Sequence, residues 1–217
     1  MHKFLIYIFL IFFISINPIF AEKINIFEFT EEELLNLKVR KVRGADSKTK
    51  YSIGSNDDGN YLKAEAVSSA SGLGKEIKIN INLTPILNIS WKVEKDLSGI
   101  VENSKKGHDF AARVFVVKKT GATPLSNRAM NYVFSSNQSL GVSHPSPYTK
   151  KSIDYVLSTT KENLNEWVKV KVNVKKHFKE FHNLELEEIN GIAIMSDTDN
   201  SKLTSVAYYQ NIFFSSE

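Results

Sequence analysis

The chain has 217 residues, of which 42% are hydrophobic, 24% charged and 11% aromatic, with a net charge of +4 and no cysteine. This length and apolar content suit one domain with its own core, and they exclude disorder, collagen-like repeats and a long coiled coil as the main architecture. Without cysteine there is no disulfide framework, thiolate metal site, cysteine nucleophile or lipidated-cysteine anchor, and the small basic excess forms no long block of like charges that would mark nucleic-acid binding.

Residues 1–21 read as a secretory signal peptide. Lys3 precedes an apolar run at residues 4–14, Pro18 breaks any helix, and Ala21 stands just before the charges of Glu22 and Lys23. The run is shorter than the ~20 residues needed to span a bilayer. Cleavage would remove Lys3 alone among the charged residues and lower the net charge to +3. The expectation is a periplasmic or secreted protein, with residues 22–217 forming a single β-sandwich domain and no stable membrane span.

Thr30 and Glu33 have capping-box spacing, with acids in the first turn, and predict a short helix. After it, period two dominates. Ile77, Ile79, Ile81 and Leu83 alternate with polar residues, as do Leu87, Ile89, Trp91 and Val93, and Val168, Val170, Val172 and Val174, each set predicting one buried strand face. Residues 110–117, 189–195 and 206–214 are apolar on both faces, as in strands covered on both sides. Weaker strands are expected at 37–42, 50–53, 61–67, 129–135 and 153–158, with turns at 56–60, 71–72, 106–108 and 143–147. A second helical snippet covers 175–181. About ten strands with one or two short helices predict an all-β, antiparallel sandwich.

Several polar residues stand out. Asp197, Asp199 and Asn200 offer oxygen ligands on one turn. They suit Ca²⁺ or an Asx-rich hairpin turn equally in kind, although the loop lacks the Gly and terminal Glu of an EF-hand. Arg113 interrupts an apolar strand and needs a carboxylate, either Asp109 two positions along the same face or an acid from a neighbouring strand; alternatively it grips a ligand. His144 and Tyr148 flank a Pro-rich loop that would present them at a rim, whereas His177 and His182 read as surface. Trp167 and Tyr208 are candidates, with Tyr148, for stacking on sugar rings. There is no Gly-x-Ser-x-Gly elbow, phosphate-binding loop, dinucleotide fingerprint or His-Glu-x-x-His.

Taken in order, Ala64-Glu65-Ala66, Ser68 to Leu73, Thr84-Pro85, Trp91, Asp109 to Val116, Asn131-Tyr132-Val133, Pro147-Tyr148, Trp167, Gly191 to Asn200 and Ala207-Tyr208-Tyr209 resemble the bacterial domain of unknown function 3047 family. The likeness runs over roughly residues 40–214. It implies an exported, jelly-roll-like β-sandwich without an established activity. The chain departs from the family pattern at Ile89-Ser90-Trp91, where paired Trp is usual, and at His108-Asp109, where two acids are usual.

The functional expectation is non-catalytic binding of a glycan or polyhydroxyl ligand. Asp109, Arg113 and His144 would hydrogen-bond, Tyr148, Trp167 and Tyr208 would stack, and Asp197, Asp199 and Asn200 would form a Ca²⁺ site if a cation is used. The alternatives are a polysaccharide-cleaving enzyme, with Asp109, His144 and Asp197 or Asp199 as acid and base, and an envelope assembly component.

Overall fold

The alternating patterns are realised as strands wherever one face meets apolar side chains from a second sheet. A computed structural model describes residues 22–37, 39–42 and 44–217; the leader expected at 1–21 lies outside the described residues. In chain order the elements are β1 (Lys23–Asn25), α1 (Glu31–Asn36), β2 (Val39–Lys41), β3 (Lys50–Asn56), β4 (Gly59–Val67), β5 (Ala70–Asn80), β6 (Ile86–Lys95) and β7 (Ala112–Lys118). They continue with β8 (Arg128–Ser135), β9 (Ser143–Ser146), β10 (Thr149–Thr159), α2 (Thr160–Asn163), β11 (Val168–Asn173), α3 (Val174–His182), β12 (Glu188–Asp197) and β13 (Thr204–Ser215).

Two sheets form the sandwich. One runs β11-β6-β13-β4-β3, with β1 also on β13, and the other runs β2-β5-β12-β7-β8-β10-β9. Pairing is antiparallel except between β8 and β10, which are parallel. Between the sheets lie Leu62, Leu73, Ile79, Leu87, Trp91, Val114, Tyr132, Phe134, Ile194, Tyr209 and Phe214, all at most 1% exposed. Each such aliphatic or Phe side chain contributes roughly 1.5–3 kcal/mol by leaving water. Two polar contacts fix the layers in register. The Trp91 indole N–H donates to Ser158 Oγ across the core at 2.9 Å, and the Tyr209 hydroxyl donates to the Met195 carbonyl at 2.8 Å and accepts from the Arg113 N–H at 3.0 Å.

Local chemistry explains most boundaries. Thr30 Oγ1 caps α1 by accepting from the Glu33 N–H, while Glu33 Oε2 reaches back past the cap to accept from the Phe29 and Glu28 N–H groups. The β3–β4 hairpin turns on Asp57-Asp58, with Asn56 Oδ1 accepting from the Asp58 N–H and Gly59 at φ 112°.

Several expectations are corrected. β5 ends at Asn80 in a turn, so Leu83 leaves the buried face and is 56% exposed. Ser71-Gly72 lies inside β5 rather than in a turn, because Gly72 is paired with Met195 and Arg40. The Pro-rich segment after Gly141 forms the edge strand β9, where Pro145 is tolerated because an edge leaves its missing N–H without a partner to fail. His177 is buried among Tyr132, Tyr155 and Phe181, and His182 is half-buried with its Nε2 at 3.0 Å from the Ala129 carbonyl; neither is a surface residue. Helix α3 packs that face on the sandwich. Among the described residues no helix is long and apolar enough to cross a membrane.

Candidate functional site

Strand parity decides which side chains reach the outer face of the seven-stranded sheet. On β7 and β12, Val114, Val116, Ile192 and Ile194 face the core, so Arg113, Phe115, Met195 and Asp197 face out. On the parallel pair, Tyr132 and Ile153 face in and Asn131 and Asp154, which are register partners, face out. The polar residues carried on these apolar strands therefore gather at one place.

Arg113 is the centre of the group. Its guanidinium donates twice to Asp197, from Nε to Oδ1 at 2.8 Å and from Nη2 to Oδ2, and Nη2 also donates to the His108 carbonyl at 3.1 Å. The Phe110 ring lies 4.8 Å away. Of the two partners that the sequence leaves open for Arg113, the neighbouring strand supplies the acid. Strand β7 begins only at Ala112, so Asp109 lies in the preceding loop, off the expected alternation. There it ties down the β12–β13 turn, accepting from the Asn200 N–H at 3.2 Å, the Asn200 side-chain amide at 2.9 Å and the Ser201 N–H at 2.6 Å. Gly107 lets this loop close: a Cβ there would lie 2.7 Å from the Val101 carbonyl oxygen.

Carboxylate oxygens of Asp109, Asp197 and Asp199 come within 4.8 Å of one another. Arg113 neutralises only part of that charge. Burial opposes a charge on Arg113, but Asp197, Asp154 and Asp109 outweigh it and hold its pKa above the ordinary value. Burial pushes the Asp197 carboxyl up to about 7 against the pull of Arg113, with Asp109 adding to the rise. Asp199 is raised by burial and by Asp109. Burial and the neighbouring acid thus oppose the ionisation of Asp197 and Asp199, while Arg113 favours it.

The oxygens of this set are already partly engaged. Ca²⁺ takes six to eight oxygens, yet both oxygens of Asp109 and both of Asp197 accept hydrogen bonds, and the Asn200 carboxamide oxygen accepts from the Tyr148 hydroxyl at 2.6 Å. The Arg113 guanidinium supplies one of the two positive charges that Ca²⁺ would bring.

Beside the cluster, His108 Nε2 lies 2.7 Å from Asp154 Oδ2, and Asn131 Nδ2 donates to Asp154 Oδ1 at 2.5 Å. Burial lowers the His108 pKa despite Asp154, so the ring is neutral near pH 7. His144, on β9, backs this network rather than standing on the rim. Its Nδ1 is 3.6 Å from Asp154, and Gln138, itself bonded to the buried Glu102, approaches its Nε2 at 3.0 Å. Above these groups opens a cavity of about 470 Å³, lined in part by His108, Arg113, Tyr148, Asp197, Asp199 and Asn200. Tyr148 is 56% exposed and packs edge-on against His108.

Six of the expected residues, Asp109, Arg113, Tyr148, Asp197, Asp199 and Asn200, therefore meet, and His144 sits behind them. Trp167 and Tyr208 do not join. They lie with Tyr61 on the outer face of the six-stranded sheet, ring centroids 5.5–6.2 Å apart and planes tilted by 56–74°, with the Tyr208 hydroxyl donating to Glu94 at 2.7 Å. His108, Asp154, Asn131 and Glu102 escape sequence reasoning. Only the outward parity of Asp154 and Asn131 on two apolar strands signals them.

The sequence profile of the family described as "Protein of unknown function (DUF3047)" matches residues 36–213. The chain belongs to this family. No curated protein matches the chain. Among solved structures, the DUF3047 chain is similar to the family 30 carbohydrate-binding module of the cellulosomal cellulase Cel9D-Cel44B of Clostridium thermocellum, with 7% identity, a TM-score of 0.52, and 90% of this chain and 98% of that one covered. It is also similar to a thermostable cellulase derived from Cel12A of Rhodothermus marinus (11% identity, TM-score 0.46, 79% and 89% covered). A third similar structure is the Trichoderma harzianum endoglucanase 3 from family GH12 (8%, 0.45, 90% and 96%). At 7% identity the likeness to the carbohydrate-binding module shows a jelly-roll-like sandwich fold and no more.

Proposed function

We propose that this DUF3047 protein is an exported module that binds a glycan or related polyhydroxyl ligand, without chemistry, on the outer face of the seven-stranded sheet. The observation that carries the reading is the cavity of about 470 Å³ in which Asp199, Asn200, Arg113 and His108 converge beneath the exposed ring of Tyr148. A few fixed polar groups beside an aromatic ring are what a sugar requires: hydroxyls are hydrogen-bonded and the apolar ring face is covered. A second cavity of about 260 Å³, floored by Gly72, Gly74, Gly191 and Ala193, continues along the same face from Met195, the register partner of Gly72. This favours a chain of several sugar units over a single one. Export is supported by the leader-like character of residues 1–21.

Binding is favoured over cleavage because two-carboxylate hydrolysis needs both acids at the scissile bond. Asp109 is fully buried and bonded to the β12–β13 turn, Asp197 is buried and held by Arg113, and Asp199 alone of the three is half-exposed. A glycan array read with and without Ca²⁺ tests the proposal. The wild-type protein retains at least one polysaccharide, EDTA has no effect, and Tyr148→Ala and Asp199→Asn each weaken retention at least tenfold (about 1.4 kcal/mol). An array without binding, or variants that bind like wild type, would contradict it.

A further inference from the structure

The outer face of the six-stranded sheet holds another cavity, of about 400 Å³, that the glycan reading does not use. It opens where β13 bulges. Gln210 pairs with Ser90 and Phe213 with Asn88, so Asn211 and Ile212 together oppose Ile89. Asn211 takes φ 51°, a left-handed conformation that Asn tolerates better than most residues. Bulges of this kind bend a strand and re-aim its side chains.

Three lysines, Lys23, Lys169 and Lys171, line the cavity together with Ser90, Asn211 and Phe213. Lys169 meets Asp58 at 3.1 Å in an exposed pair, Lys23 lies 4.2 Å from the centre of the Phe213 ring, and Lys171 has no acidic partner among the described residues. Ser90 is only 2% exposed, and its hydroxyl has no hydrogen-bond partner among the described residues. A buried hydroxyl left unpaired is destabilising, and folded proteins seldom keep one without a use. It lines the same cavity as the three lysines and the Phe213 ring.

We propose that this is an anion-binding site for an oxyanion, carried as sulfate, phosphate or carboxylate on a small organic ligand. The lysines neutralise the charge, Ser90 donates to one oxygen once the side chains that bury it move aside, and Phe213 covers the carrier. The site is independent of the glycan reading.

The test uses the full chain, with calorimetry and thermal unfolding in sodium sulfate, sodium phosphate or sodium glucuronate against sodium chloride of equal ionic strength. The two inorganic salts report the oxyanion alone, and glucuronate reports an oxyanion on a ring. A saturable stabilisation by at least one of them is expected. Affinity falls at least fivefold in Lys169→Gln/Lys171→Gln and in Ser90→Ala, and is unchanged in Tyr148→Ala. Ser90→Ala without anion is as stable as wild type or more so. Three results would overturn the proposal: no saturable effect from any of the salts, equal stabilisation of wild type and the lysine variant as a general salt effect gives, or a Ser90→Ala protein that is less stable in the absence of anion.

Discussion

At the scale of single residues, Arg113 and Asp197 show how one ion pair organises a site. Both are almost wholly buried, so neither charge is tolerable alone. Replacing Arg113 by Met leaves Asp197 and Asp109 without their counter-charge and is expected to lower stability by about 3–5 kcal/mol in urea unfolding. The double variant Arg113→Met/Asp197→Leu recovers part of that loss, because an apolar pair no longer strands a charge; failure to recover any would show that the pair is not the main interaction. The need of Arg113 for an acid was legible from an arginine in an apolar strand. Which acid was not, since the answer depends on where β7 starts, and a strand boundary two residues off moved Asp109 from the face into the loop. His177 was misread for a related reason. A histidine on a short helix looks exposed until the sheet it packs on is known.

That histidine also sets a pH dependence. Burial holds the pKa values of His177 and His182 below the ordinary 6.5, so the folded chain takes up their protons only at lower pH than the unfolded chain, which does so near 6.5. Stability from these groups is complete above that value and is lost as the pH falls below it. His177→Phe, which keeps the ring contacts with Tyr132, Tyr155 and Phe181, should make the fall in thermal midpoint between pH 7 and 5 shallower than in wild type. A steeper or identical fall would contradict this.

At the scale of elements, the period-two segments were the most legible feature, because Trp91, Val114, Ile194 and Tyr209 can face the core only if their neighbours face out. Departures from that period came from non-local geometry. The β10 bulge at Val156–Ser158 brings Ser158 to the Trp91 indole, and the parallel β8–β10 pair aligns Asp154 with Asn131. Neither leaves a mark in local composition. The loop ahead of β7 has a sharper signature. Gly107 passes so close to Val101 that Gly107→Ala must displace backbone, at a cost of about 1–3 kcal/mol typical of overpacking. The same loop carries His108 and Asp109, so chemical-shift changes in this variant should extend to Asn200 and Ser201. Changes confined to residues 101–107 would show that the loop yields without disturbing the site.

At the scale of the whole molecule, the sandwich separates two groups of conspicuous residues that the sequence could not assign to sides. Tyr148, Asp199 and Asn200 open on the seven-stranded sheet, whereas Trp167 and Tyr208 lie against Tyr61 on the six-stranded one. The tilt of those three rings leaves no flat platform for a sugar, and Tyr208 is nearly buried. Asp199 and Trp167 therefore belong to separate surfaces. The most direct measurement of this division is calorimetric titration of one polysaccharide, identified on the array, into wild type, Tyr148→Ala and Trp167→Ala. The proposed site predicts at least tenfold weaker binding for Tyr148→Ala and unchanged binding for Trp167→Ala. The reverse pattern, with Trp167→Ala abolishing binding and Tyr148→Ala leaving it intact, would place the ligand on the other sheet and contradict the account.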